Sequence, residues 1–308
     1  MSNVEFVKVK AQDDEMRLNR WFLKYYPKLP LSRLQKLLRT KQIKVDGKRA
    51  DVSLKLAEGQ EVRIPPMEDK VEIVDKREVS AKDEAFVKSL VIYKDENIIV
   101  LNKPSGLAVQ GGTKIERHLD KMLPALKFGK EEAPKLVHRI DKETSGLLVL
   151  ARDRKNADLL TKAFREHNLQ KTYLALVKGC PKSMDGQIKA ALEKIGEKMT
   201  IVADGKKAIT DYRVLDNVGE KFALVEAKPL TGRTHQIRAH LEYIGTPIVG
   251  DDKYFGDKRE KFVNLKDKLY LHAYKIDLSQ LYKKLKLKAE LPEYFQEALE
   301  TLGLENKE

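Results

Sequence analysis

One carboxylate lies among basic side chains directly before an apolar run, in the segment His138-Arg139-Ile140-Asp141-Lys142. Arg139 precedes Asp141 by two residues, and the turn-forming Thr144-Ser145-Gly146 leads into the apolar residues 147–150. Four apolar residues after a turn are typical of a buried strand, which would anchor the charged loop. Such a carboxylate can act as a nucleophile or a general base, whereas an arbitrary loop Asp more often only caps a turn.

The composition of the chain limits the kinds of protein it can be. At 308 residues it exceeds one typical domain of roughly 100 to 200 residues, so we expect two domains. The sequence has no run of 18 apolar residues and no basic-then-apolar leader, which favours a soluble, cytoplasmic protein without a membrane span. The single cysteine, Cys180, and the six scattered histidines give no metal-ligand spacing, so we expect no metal site.

Positive charge is concentrated near the start of the chain. The whole sequence has 60 Lys and Arg against 47 Asp and Glu, and residues 1–66 alone have 15 against eight. Residues 31–50 contain seven basic residues and one acidic residue, Asp46. Such a patch is typical of a surface that binds a polyanion, although a lysine-rich solvated surface has the same composition.

Two short helices and a β-hairpin are predicted in this basic segment. The first helix is indicated by Leu18, Trp21, Phe22 and Tyr25 at helical spacing, with Trp21 expected in the core. The pattern Ser32-Arg33-Leu34-Gln35 matches a capping box and predicts where the second helix begins. Asp46-Gly47 favours a tight hairpin turn after a strand, and residues 61–64 read as the returning strand. The basic side chains of the second helix and the residues after it, which we call the basic ridge, are Arg33, Lys36, Arg39, Lys41 and Lys44.

The remaining sequence predicts a linker and a larger second domain. Residues 67–88 are highly charged with sparse apolar periodicity, which is typical of a linker between a domain at 1–66 and another at 89–308. Strand-like runs dominate the second domain without regular βα alternation, so we predict an α+β fold on a mixed, largely antiparallel sheet. Strands are predicted at residues 90–93, 98–102, 147–150, 174–177, 209–215, 222–227 and 269–278, and helices at 156–166, 234–244 and 292–302.

Four segments of this domain share their order and spacing with a known family. They contain Leu101-Asn102-Lys103-Pro104-Ser105-Gly106, residues 138–152, Lys171-Thr172-Tyr173, and Gly232-Arg233-Thr234-His235-Gln236-Ile237-Arg238 with Gly250-Asp251. Over about residues 90–280 the chain resembles the RluA/RluC group of pseudouridine synthases, and Ile92-Tyr93-Lys94-Asp95-Glu96-Asn97 is most similar to members that act on 23S rRNA. Residues 14–64 resemble the small α-L RNA-binding domain first described in ribosomal protein four of the small subunit.

The resemblance implies an enzyme that isomerises uridine to pseudouridine within RNA and needs no cofactor. In this reaction the N-glycosidic bond breaks, the uracil rotates on the enzyme, and C5 is joined to the same ribose carbon. Asp141 matches the essential aspartate of the family, as nucleophile or as base. A carboxylate in a closed pocket needs a nearby positive charge to stay ionised, and the family pattern makes Arg238 its expected partner, with Arg233 as the alternative.

The resemblance also implies how RNA is bound. Arg139 matches the residue that enters the RNA helix and displaces the target nucleotide, and Tyr173 matches a surface on which the flipped base stacks. The family places the basic ridge against RNA phosphates. Asn102, Lys103 and His138 are further candidates for RNA contact, although Asn102 and Lys103 can equally serve loop architecture. For His138, His235 and His240 we favour structural hydrogen bonding over a general-base or metal role. The expected partner is 23S rRNA or a large-subunit assembly intermediate, and we expect a monomer.

Three other functions fit parts of the pattern. A protein kinase is excluded because the spacing is His138-Arg139-Ile140-Asp141 rather than His-Arg-Asp, without a glycine-rich phosphate loop or Asp-Phe-Gly. A glycoside hydrolase needs two working carboxylates across the bond, whereas Asp141 is surrounded by basic motif residues. A non-catalytic rRNA-binding ribosome assembly factor with the same fold would share the basic features. It has no physical need to keep Asp141, Arg139, Tyr173 and Arg238 together, which favours the enzyme.

Overall fold

The computed structural model describes residues 4–27, 29–66, 79–111, 116–255 and 264–307. The chain divides into two compact units, Met1–Glu78 and Val79–Glu308. The elements of the first unit are β1 (Glu5–Lys8), α1 (Leu18–Tyr25), α2 (Leu31–Arg39), β2 (Lys44–Val45), β3 (Lys48–Arg49) and β4 (Glu61–Ile64). Its strands form one sheet in the order β1-β4-β2-β3, with antiparallel neighbours. Both predicted helices and the hairpin are therefore present.

The first unit has an apolar core of its own. Leu18, Trp21 and Phe22 of α1 are buried, and Leu34 and Leu38 of α2 belong to the same cluster. The spacing of these residues puts them on one face of each helix, which is why short helices are stable here. Trp21 is 1% exposed, so its expected place in the core is confirmed.

Two local details of this unit test the sequence patterns. Asp46 and Gly47 both have positive φ, +48° and +71°, as the predicted hairpin turn requires. The capping box was wrong, because α2 begins at Leu31 and Ser32 lies inside its first turn. Pro30 occupies the N-cap position with φ −61° and ψ 143° and without a side-chain cap, so the proline ring already fixes the backbone there.

The second unit is built on a long twisted sheet. Its described elements are α3 (Ala81–Ser89), β5 (Val91–Lys94), β6 (Ile98–Lys103), α4 (Leu119–Met122), β7 (Lys135–Leu136), β8 (Ser145–Ala151), α5 (Arg154–Arg165), β9 (Gln170–Lys178), β10 (Asp185–Lys189), β11 (Leu192–Ile195), β12 (Lys198–Ile201), β13 (Ile209–Val218), β14 (Phe222–Pro229), α6 (Gln236–Tyr243), β15 (Leu271–Asp277), β16 (Lys286–Lys288) and α7 (Glu293–Leu302). Within the described ranges no helix is long and apolar enough to cross a membrane.

The order of the main sheet is β10-β13-β14-β9-β15-β8-β6-β5, with β7 and β16 paired at its side. Among the pairs in this order, β15 and β8 are parallel and the others are antiparallel. The predicted α+β fold on a mixed, largely antiparallel sheet is confirmed. Strands at the middle of the sheet are buried on both faces, as in β8, which explains why their sequences are continuous apolar runs.

The predicted linker at 67–88 was wrong over its second half. Residues 67–78 lie outside the described ranges, whereas Ala81–Ser89 forms α3. The Ser80 side chain accepts a hydrogen bond from the Asp83 N–H and caps this helix, and Val87 is buried against Ile99 and Leu101. One buried apolar residue on a charged helix gives almost no periodicity, so the pattern resembled a linker.

Gly146 makes the parallel pairing of β8 with β15 possible, which is the one parallel pair in the strand order given above. It lies opposite Ala273 in the β8–β15 register and has φ +104°. A Cβ atom on Gly146 would lie 2.2 Å from the Ala273 carbonyl oxygen, so the two strands approach as closely as only glycine permits. Because the Asp141 loop directly precedes β8, this contact also fixes where that loop ends.

We predict that Gly146→Ala lowers the free energy of unfolding of the second unit by about 3 kcal/mol, because a methyl group would meet backbone and the φ value is strained. Thermal unfolding should show a fall in melting temperature of roughly 6 to 12 °C. The control is Gly219→Ala, at φ +53° with nothing within 4 Å of the added Cβ. Equal losses in the two variants would contradict the steric explanation.

Candidate active site

The loop that carries Asp141 is tied to the turn after β6. The Gly106 N–H donates to the Lys142 carbonyl at 2.9 Å, and the Ser105 hydroxyl donates to the Glu143 carbonyl at 2.7 Å. The Thr144 N–H also donates back to the Asp141 carbonyl at 3.2 Å. The Pro104-Ser105-Gly106 turn is distant from Asp141 in the sequence, but through these bonds it supports the loop that carries Asp141.

Lys103 completes this support from inside the protein. Its side chain is fully buried, and Nζ donates to the carbonyls of Pro104, Leu107 and Lys142 at 3.0, 2.8 and 2.9 Å. Burial lowers the pKa of Lys103 to about 7, and the charges of Glu143 and Asp141 act against that fall. The candidate RNA contact by Lys103 was therefore wrong, because its ammonium group is enclosed and already fully bonded.

Arg238 joins the carboxylate of Asp141 to a second carboxylate. Its Nη1 donates to Asp141 Oδ2 at 3.3 Å, while Nε and Nη2 each donate to an oxygen of Asp251 at 2.7 Å. The Asp251 side chain is fully buried and also accepts from the backbone N–H groups of Lys253 and Tyr254. This bidentate pair fixes the guanidinium plane, so Arg238 presents one N–H to Asp141 in a set direction.

The structure distinguishes the two arginines that we considered for Asp141. Arg238, on α6, is 6% exposed and contacts the carboxylate. Arg233 is half-buried to exposed at the cavity rim, and its Nε donates to the Lys207 carbonyl at 3.2 Å. Asp141 itself keeps 27% of its side chain exposed, and its Oδ1 has no hydrogen-bond partner among the described residues. Arg238 holds one carboxylate oxygen, and the carboxylate borders open space.

That open space is a cavity of about 730 Å³, a size suited to a small ligand or a single nucleotide. Asp141 is the acidic residue of its lining, whereas the basic side chains that line it are Arg139, Lys142, Arg165, Lys171, Arg233 and Arg238. Tyr173 lines it from β9, and burial raises the pKa of this phenol, with a further contribution from the charge of Asp141. The tyrosine is therefore a protonated, uncharged ring at neutral pH.

Lys171 lies on the same face of β9 as Tyr173, because side chains two residues apart in a strand point the same way. Within the described part of the chain no carboxylate lies within 4 Å of its ammonium group. Burial lowers the pKa of Lys171. A largely buried cation without an acidic partner is a position at which an anionic part of a ligand is favoured.

The histidines that we weighed serve mainly as structural groups. His138 Nε2 accepts the Val149 N–H at 2.9 Å, and its ring stacks on Phe164. Burial lowers the pKa of His138 to about 3, so it is neutral. His240 is fully buried and bonds the Thr210 hydroxyl and the Ala190 carbonyl. Over the described residues, no group of three His, Cys, Asp or Glu side chains could hold a metal ion.

Asn102 also has a structural partner, since its Nδ2 donates to the Glu290 carbonyl at 3.0 Å. Arg139 is exposed at the mouth of the cavity, as an inserting side chain would need to be. Sequence reasoning missed Asp251, although it belongs to a quoted motif. No local sequence pattern indicates that Asp251 pairs with Arg238, because Arg238 lies 13 residues earlier in the chain, on α6. Lys171 could have been found from its spacing to Tyr173 alone.

Comparisons with known proteins identify the family of the chain. The sequence profile of the family described as RNA pseudouridylate synthase matches residues 97–243. Ribosomal large subunit pseudouridine synthase C from Rickettsia bellii is 39% identical over 293 residues, which cover 91% of this chain and 95% of that protein. The protein of the same name from Vibrio cholerae is 34% identical and covers 97% and 96%.

A solved structure supports the same assignment. Human RNA pseudouridylate synthase domain containing 4 superposes with a TM-score of 0.63 at 31% identity, covering 73% of this chain and 98% of that one. Shared identity above 30% over almost the whole length leaves no other family to consider. The chain belongs to the RNA pseudouridine synthases of the RluA/RluC type, and it is an isomerase.

Proposed function

We propose that this protein converts specific uridines of 23S rRNA to pseudouridine, in the free RNA or in a large-subunit assembly intermediate. The names of the relatives that match along nearly the whole chain support a large-subunit substrate. The observation that carries the catalytic assignment is Asp141: Arg238 holds its Oδ2, and its side chain lines a cavity whose other charged lining is basic. A polyanionic substrate would be drawn to such a cavity.

In this proposal Asp141 acts at the ribose of the flipped uridine. Its carboxylate either attacks the anomeric carbon or removes a proton, and either route releases uracil from its N-glycosidic bond. Rotation of the uracil then brings C5 to the same carbon, and the C5 proton leaves at the end. Substrate and product have the same atoms, so the reaction needs no oxidant, reductant or resident cofactor.

The remaining cavity residues have roles that follow from their positions. Tyr173 offers a neutral ring on which the uracil can stack, a contact that contributes about 1 to 3 kcal/mol. Arg139, exposed beside Asp141, would fill the gap left in the RNA helix and offset the cost of flipping. Lys171, one strand repeat from Tyr173, would pair with a phosphate next to the flipped nucleoside, and Arg233 would extend that contact at the rim.

The first unit would bind RNA through the basic ridge. Arg33, Lys36, Arg39 and Lys41 are exposed and Lys44 is half-buried, so their charges can reach phosphates. We retain the α-L RNA-binding domain at 1–66 and the catalytic domain as proposals, with the start of the catalytic domain moved from 89 to 79 because α3 belongs to the second unit. We further propose that the enzyme works as a monomer in the cytoplasm.

We predict that Asp141→Asn abolishes pseudouridine formation while RNA affinity and fold persist, because the amide keeps the shape but loses the charge and the nucleophilic oxygen. Carbodiimide adducts and reverse-transcription stops on rRNA treated with each variant would measure the product. Asp158→Asn, an exposed position on α5, is the matched control and should retain full activity. Substantial turnover by pure Asp141→Asn would refute the catalytic assignment.

We predict that replacing Arg33, Lys36 and Arg39 together by alanine weakens RNA binding and flattens its salt dependence. Each lost phosphate contact should reduce the slope of log K against log salt by about 0.7 to 0.9. Filter binding or fluorescence anisotropy between low and physiological salt would give both slopes. The charge-matched control replaces the exposed Lys82, Lys182 and Lys283 of the second unit. If both triple variants changed the slope equally, the ridge would have no special role.

A further inference from the structure

Behind Asp141 lies a second line of polar groups that starts at Tyr254. This tyrosine is 5% exposed, and its hydroxyl oxygen accepts the Met199 N–H at 2.8 Å. The same hydroxyl lies 3.0 Å from His235 Nδ1, and His235 Nε2 lies 3.7 Å from Asp141 Oδ2. Tyr254, His235 and Asp141 are thus consecutive members of one chain of contacts, separate from the pairing of Arg238 with Asp251.

The direction of these bonds follows from the number of hydrogens. The Tyr254 oxygen already accepts from Met199, so its own hydrogen is available for His235 Nδ1. Burial lowers the pKa of His235. The charge of Asp141 opposes that fall and the charge of Arg238 adds to it, and the net direction is downward, so the imidazole is neutral at neutral pH. A neutral imidazole that accepts at Nδ1 carries its proton on Nε2. Asp141 Oδ2 lies 3.7 Å from that nitrogen, which is longer than a hydrogen bond.

Tyr254 also contacts the other partner of Asp141. The Arg238 guanidinium carbon lies 5.1 Å from the centroid of the Tyr254 ring, in the range of a cation–π contact. One buried residue therefore touches both groups that approach the same carboxylate oxygen. A shift of Tyr254 would move His235 and Arg238 together, and so would alter the direction in which Asp141 Oδ1 points.

The backbone of His235 is the second independent observation. This residue has φ +49° and ψ +21°, a left-handed conformation that asparagine and glycine adopt more readily. It occupies the N-cap position of α6, yet its side chain makes no capping hydrogen bond. Strain of this kind, held in place at a functional site, indicates that the imidazole is required for its contacts rather than for helix capping.

We propose that Tyr254 and His235 are positioning residues that hold Asp141 Oδ2 through a Tyr254 to His235 to Asp141 hydrogen-bond relay, leaving Oδ1 directed at the ribose. The relay requires the distance of 3.7 Å between His235 Nε2 and Asp141 Oδ2 to shorten to a hydrogen bond in the RNA complex. The inference rests on the proposed catalytic role of Asp141. It adds two residues that act through Asp141 and touch no reacting atom.

The first test compares Tyr254→Phe with Tyr243→Phe, the same change at an exposed position on α6. The phenylalanine keeps the ring against Arg238 and removes the hydroxyl that orients His235 and accepts the Met199 N–H. We expect the single-turnover rate of Tyr254→Phe to fall about tenfold, the size of one lost hydrogen bond, with an unchanged Kd for RNA. The control should keep the wild-type rate. A Tyr254→Phe rate equal to wild type would overturn the relay.

The second test uses two replacements of His235 and does not depend on Tyr254. Asparagine suits the left-handed backbone but cannot reach Asp141, whereas glutamine strains the backbone as histidine does and places an N–H near the Nε2 position. The relay predicts a higher single-turnover rate for His235→Gln than for His235→Asn, with the opposite order in melting temperature. If asparagine were equal or better in both, His235 would be structural only.

These outcomes also separate the relay from the proposed function. Inactivity of the wild-type protein on 23S rRNA would contradict the proposed substrate and not the relay, because the effect of each relay variant is measured relative to the wild type. Activity in the wild type, loss in Asp141→Asn and no loss in Tyr254→Phe would leave the catalytic role of Asp141 intact and remove the relay alone. Loss in both variants with retained RNA binding would support both proposals.

Discussion

The site depends on two carboxylates that share one guanidinium. Asp251 is buried and binds Arg238 through two hydrogen bonds of 2.7 Å, so the arginine has no freedom to rotate, and its remaining N–H reaches Asp141 at 3.3 Å. A lone buried arginine would cost several kcal/mol of desolvation, and Asp251 offsets that cost. Arg238 balances the charge of Asp141 without covering the carboxylate, so about a quarter of the Asp141 side chain stays open to the cavity.

The fold supplies the rigidity that this arrangement needs. Asp141 lies in a loop between β7 and β8, and the loop is held by carbonyl bonds to Lys103, Ser105 and Gly106. Arg238 comes from α6, about a hundred residues later, and the parallel contact of β8 with β15 at Gly146 fixes the two halves of the sheet against each other. The salt bridge between Asp141 and Arg238 joins distant segments. Its geometry therefore depends on the close approach of β8 and β15, which only glycine at position 146 allows.

Much of the fold was predictable because its signals are local. The apolar runs of β6, β8 and β14 and the Asp46-Gly47 turn specify their structures within a few residues. Where partners are distant, sequence patterns were insufficient. For Lys103 the sequence left RNA contact and loop architecture as equal alternatives. Its three acceptors come from residues 104, 107 and 142, so the burial of this lysine becomes apparent only once the fold brings them together.

Other features were missed for a similar reason. The hairpin of β11 and β12 is polar and mostly exposed, so it has little apolar alternation, and α3 buries a single fully enclosed valine. Within the site, the resemblance named Arg238 as the partner of Asp141, but nothing local revealed Asp251 or the contacts of Tyr254. Both residues act through another side chain, and such roles become visible only in three dimensions.

The most direct measurement of the central claim is the single-turnover rate of Asp251→Asn on 23S rRNA. Asp251 is 1% exposed behind Arg238, so its substitution acts on Asp141 through the arginine and through Tyr254, whose backbone N–H it accepts. At a temperature where the variant is folded, we expect the rate to fall at least about tenfold while RNA affinity is retained and the exposed neighbour variant Asp252→Asn keeps full activity. A wild-type rate in folded Asp251→Asn would contradict the claim that the shared guanidinium sets the position of the catalytic carboxylate.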